Sequence, residues 1–162
     1  MKLLLISILL TCPGWSQDGS KGDEIAVRET IRKMNESVSN KDLQGLHSVI
    51  LDDAVKLNLF PAHKYGEVAD DNFKITTAPL KGTWTTVATL LFRGTHVYKR
   101  DIVHMDIHIN GAMAVAWVEL QTETIRQKGD PPKRNHFREI CVLKRMGKEW
   151  KIAMATNNRH DM

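Results

Sequence analysis

The chain holds 162 residues with a formal net charge of +4 and 42% apolar side chains. That is enough for one domain burying about two-thirds of its unfolded surface, and it leaves no need for a second. Residues 124–162 hold ten Lys or Arg against four acids, but these bases alternate with apolar residues as the solvent face of a strand does, which argues against nucleic-acid binding.

Residues 1–16 read as a secretory signal peptide. Lys2 supplies the positive start, Leu3 to Leu10 the apolar run, and Pro13-Gly14-Trp15-Ser16 the breaker and small residues before cleavage ahead of Gln17. Eight apolar residues fall short of the about 20 that span a bilayer, so no transmembrane span is expected. The expected destination is exported, periplasmic or extracellular; a lipoprotein anchored through Cys12 is a minor alternative, because Thr11 and Pro13 flank that cysteine poorly. Without Cys12 the mature chain keeps only Cys141, forms no internal disulfide, and depends on core packing.

After a polar stub over 17–22, Asp23 is a plausible N-cap for a helix in which Val27, Ile31, Met34 and Val38 share one stripe. Leu43, Leu46, Val49 and Ile50 predict a second short helix ending near Leu51-Asp52-Asp53, and Val55 to Phe60 a first strand closed by Pro61. Phe73 to Thr77 reads as a short strand. A third helix follows Gly82, with Trp84, Val87, Ala88 and Leu91 on one face.

Beyond Gly94 the apolar period becomes two. Val103, Met105, Ile107 and Ile109 alternate with His104, Asp106 and His108, and Asn110-Gly111 then predicts a hairpin turn. The returning strand, Ala112 to Thr124, is apolar on both faces at first, with Ala114, Ala116, Val118 and Leu120 on one side and Met113, Val115 and Trp117 on the other. Cover on both sides suggests helices inside and a second subunit outside. Gln127 to Asn135 is a polar turn, His136 to Arg145 a strand, and Glu149 to Asn157 the last strand after the Met146-Gly147-Lys148 turn.

The passage from Ser39-Asn40-Lys41-Asp42-Leu43-Gln44-Gly45-Leu46 to Asp52-Asp53-Ala54-Val55, and the closing run from Cys141 through Gly147 to Trp150-Lys151-Ile152-Ala153, resemble the SnoaL-like or nuclear transport factor 2-like superfamily. The resemblance covers about residues 24–158 and places the domain at 23–162. It implies an α+β cone, a curved and mainly antiparallel sheet with three helices of the N-terminal half on its concave face, enclosing a pocket. It implies no catalytic set by direct carry-over: the first helix here has no tyrosine such as the ketosteroid isomerase type uses, and no Asp-Arg-Asp set or cavity-facing His pair can be placed.

Three groups of residues could carry chemistry. His104 and Asp106, or Asp106 and His108, lie about 6.8 Å apart along a strand, near enough to share a metal; beside Met105 and Ile107, they read better as an outer, wetter face, and no metal is expected. Trp117, Glu119 and Gln121 share a face. If that face is concave, Glu119 is the best single candidate for a general base, with Trp117 beside it against a ligand. On the next strand Arg138 and Glu139 take opposite faces, and an inward Arg138 would hold an anionic ligand. His47, His63, Tyr65, Asn157 and Asn158 are weaker rim candidates. Serine-hydrolase, phosphate-loop and zinc-ribbon motifs are missing from the sequence.

The leading expectation is therefore an exported, homodimeric protein that binds a small molecule or acts as an accessory, without a cofactor. The alternatives are a cofactor-free isomerase, hydrolase or dehydratase, or an oligomerisation module whose interior is filled by Trp84, Met105, Trp150 and Met154.

Overall fold

The computed structural model describes residues 21–58 and 76–157. The leader, the stub up to Ser20, and His63, Tyr65 and Asn158 lie outside the described residues. The elements run α1 (Lys21–Ser39), α2 (Leu43–Ser48), β1 (Ile50–Asn58), β2 (Thr76–Pro79), α3 (Leu80–Gly94), β3 (Val97–Asn110), β4 (Met113–Ile125), β5 (Lys133–Met146) and β6 (Glu149–Asn157). One six-stranded sheet has the order β2-β1-β6-β5-β4-β3. All neighbours are antiparallel except β1 and β6, which run parallel. This is the expected α+β architecture, with three helices in the N-terminal half on one face of the sheet.

α1 forms where its apolar stripe predicts, and Val27, Ile31, Met34 and Val38 are all fully buried against β3 and β6. Asp23 is not its N-cap but lies in its first turn. Its carboxylate accepts from the Trp150 indole N–H (3.2 Å) and from Arg145 (3.0 Å), which pins the helix start to the last hairpin. Lys41 takes the left-handed conformation (φ 59°) that ends the helix. Its Nζ donates to the Phe92 and Thr95 carbonyls at the far end of α3, where acceptors lack helical partners.

α2 is shorter than the sequence suggests. Asp42 caps it by accepting from the Gly45 amide (2.8 Å), but Ile50 already belongs to β1 because it pairs with Ile152 of β6. A partner strand more than a hundred residues away thus takes over the end of a helix-like pattern. Similarly, α3 begins at Leu80, with Gly82 inside its first turn, and β5 begins at Lys133, extending the hairpin with β4 three residues before His136.

The inner face of the sheet is set by β4, where Ala114, Ala116, Val118, Leu120 and Thr122 are at most 1% exposed. On β3 a bulge at Val103 breaks the alternation: Ile102 pairs with Leu120 and His104 with Glu119. Val103 itself is 57% exposed, not on the Met105 face as its spacing predicts, because the extra residue reverses the phase. The same bulge turns Tyr98 and Arg100 inward, and both are buried.

Candidate functional site

A chain of polar groups crosses this otherwise apolar inner face. Arg100 of β3 reaches past the Phe137 row to Glu139 of β5, and its Nη2 donates to Glu139 Oε2 at 2.8 Å, with the two side chains only 3% and 1% exposed. Its Nε donates to Asn35 Oδ1 of α1 (2.7 Å), and the Asn35 amide donates to the Ile31 carbonyl (2.9 Å). The Arg100 main-chain N–H donates to Ser39 Oγ (2.9 Å), which in turn donates to the Asn35 carbonyl (2.9 Å). The guanidinium lies over Trp84 of α3 (5.1 Å) and Phe137 of β5 (5.4 Å). Two aromatic faces and two fixed acceptors hold it in one position.

Lys56 of β1 joins this set. It pairs in register with Ala155, which pairs with Cys141, which pairs with Ala116, so Lys56 stands on the inner face in a row of small side chains. Burial holds its pKa below the ordinary lysine value, against the opposing pull of the Glu139 carboxylate. Burial, then the Glu139 charge, pushes the Cys141 thiol well above its usual range, so Cys141 is a protonated, inert wall residue. Thr122, the cross-strand partner of Arg100, is fully buried, and its hydroxyl finds no hydrogen-bond partner among the described residues.

By sequence the chain matches no family model and no curated protein. Solved structures do resemble it. A candidate scytalone dehydratase from Novosphingobium aromaticivorans superposes with a TM-score of 0.66 at 9% identity, over 86% of this chain and 85% of that one. A nuclear transport factor 2-like superfamily protein from Salmonella enterica gives 0.63 at 14% identity, over 87% and 92%. A hexachlorocyclohexane dehydrochlorinase gives 0.64 at 11% identity, over 85% of each chain. The chain has the nuclear transport factor 2-like fold.

Within this nuclear transport factor 2-like cone the residues singled out from sequence fall on two different surfaces. Trp117 and Glu119 stand on the outer face of β4, opposite the helices, where Trp117 is 50% exposed and Glu119 accepts from His136 Nε2 at 2.8 Å. Arg138, the cross-strand partner of Glu119, is exposed on the same outer face. A role for these three on the inner wall required the other phase of β4 and of β5. Of the Arg138–Glu139 alternatives, Glu139 is the inward one. His104 and Asp106 pair with each other on the exposed face (3.0 Å), and His47 shares a contact of 3.1 Å with Thr85 between α2 and α3.

Sequence reading passed over Arg100, Asn35 and Lys56. Arg100 was hidden by the bulge. Lys56 was hidden because Val55 and Leu57 flank it and suggest the opposite phase; Val55 is 36% exposed. Asn35 sits one residue from the apolar stripe of α1, where a buried amide has no distinctive pattern.

Proposed function

We propose that this protein binds a small molecule on the polar part of the cone's inner wall, between α1, α3 and strands β1, β3 and β5. The observation that carries this reading is the Arg100–Glu139 pair, buried under the helices and held in place by Asn35, Trp84 and Phe137. A buried ion pair adds little stability compared with apolar residues of the same volume, and this one sets a fixed polar patch into an otherwise apolar wall. Residues 1–16 act as a secretory signal in this reading, residues 23–162 form the binding domain, and Trp117 and Met113 on the outer face meet a second copy.

Native mass spectrometry of the exported chain from Gln17 onward tests it. A retained small molecule is the expected result. A protein that is empty in every charge state, and unchanged in thermal stability by any compound of a metabolite panel, overturns it.

A second reading, a cofactor-free acid–base enzyme, draws on the lowered pKa of Lys56 and on two neighbours whose names describe loss of water or of hydrogen chloride. A lysine whose pKa is lowered by burial gives up its own proton more readily, and the free amine so formed can accept one from carbon or from water. Turnover on any panel compound that vanishes in Lys56→Met with the fold intact would favour this reading over a simple binder.

A further inference from the structure

The inner wall carries two cations, Arg100 and Lys56, and one anion, Glu139. Arg100 and Glu139 neutralise each other directly. Among the described residues Lys56 has no hydrogen bond and no ion pair. Its row runs through Ala78 on one side and Ala155, Cys141, Ala116 and Ile107 on the other, and the raised thiol pKa keeps Cys141 uncharged. Among the described residues one positive charge is therefore left over on a face whose other side chains are mainly apolar.

Resting on the reading of the cone as a small-molecule site, we propose that Lys56 is the counter-ion for its ligand, and that the ligand is a monocarboxylate with an apolar body. An ammonium taken from water without a partner costs free energy, and a single carboxylate restores neutrality while making a charge-assisted hydrogen bond. A dianion would overshoot, since only one charge is uncompensated. The walls around Lys56 are apolar, with Ala155 and Ala116 in its row, which suits a ligand whose remainder is apolar. Arg100 is not a second anchor: its Nε and Nη2 are already committed to Asn35 and Glu139.

The test uses the mature chain and matched pairs of probes, aliphatic and naphthyl carboxylates against their neutral amides, titrated by calorimetry at neutral pH. The wild type should hold at least one carboxylate about tenfold or more tighter than its amide. Lys56→Met should abolish that preference, while Lys56→Arg, which keeps the charge, should retain most of it. Equal affinity for acid and amide in the wild type, or a preference that survives in Lys56→Met, overturns the carboxylate assignment and leaves the binding site standing. Failure of every pair to bind counts against the site itself and against this assignment together.

Discussion

The two faces of the central hairpin each hold a carboxylate against a nitrogen donor, and they use the pair in opposite ways. Inside, Glu139 meets Arg100 with both side chains almost fully buried. Outside, Glu119 meets His136 with half of the imidazole and about a quarter of the carboxylate in water. Inside, each partner is indispensable to the other, because neither can fall back on water. Outside, solvent replaces whatever is lost. The difference shows that a charge pair must be judged by its surroundings, and that only the inner pair can fix a geometry.

Arg100→Met should be the most damaging change, costing about 3–5 kcal/mol in denaturant unfolding because Glu139 is left buried and unpaired. The double variant with Glu139→Met should recover much of that loss. If the single variant costs no more than a surface change, the inner pair is not the rigid element described. Gly45→Ala should come next. A methyl group there would lie 2.1 Å from Asp42 Oδ2 and 2.7 Å from Ser37 Oγ, displacing the α2 cap at about 1–2 kcal/mol.

Lys56 provides a smaller, pH-dependent effect. Its folded pKa is below 10.5, so between the two values the unfolded chain binds more protons and stability rises with pH. Relative to Lys56→Met, the wild type should therefore be less stable at neutral pH and should close that gap as pH approaches the ordinary lysine range. A gap that widens instead would mean the amine is stabilised in its charged form. Glu119→Gln should do least, within about 1 kcal/mol, and should leave ligand affinity unchanged if the site is on the inner face.

Much of the framework was legible before any coordinates. The α1 stripe, the Asn110-Gly111 turn with Gly111 at φ 58°, and the Gly147 turn into Trp150-Lys151-Ile152 all rest on local periodicity and turn chemistry. The inner site was not legible, for a physical reason. Its central bond joins residues 39 apart in sequence, and its phase depends on one unpaired residue, Val103, that looks like any other β-branched strand residue. The boundary of α2 was misread for a similar reason, since β6 decides it. Where neighbours in sequence set the structure, the pattern can be read; where distant strands set it, the pattern is silent.

The position of β6 has one more consequence, for the order in which the molecule can be made. It is the last described strand in sequence, yet it lies third in the sheet, between β1 and β5. A growing chain that has reached Met146 therefore holds two separate fragments, the β1–β2 pair with its helices and the β3–β4–β5 meander, each with an open edge. α1 can already bridge them by packing on β3, but their strands cannot join into one sheet until the final hairpin emerges, because Ile50 must wait for Ile152. Closing a gap of roughly a hundred residues is slow compared with local hairpin formation. Until that strand slots in, Arg100 and Glu139 already face each other on the meander, but Lys56 stands on the other fragment, so the charges of the inner wall are brought together only in the last step of folding.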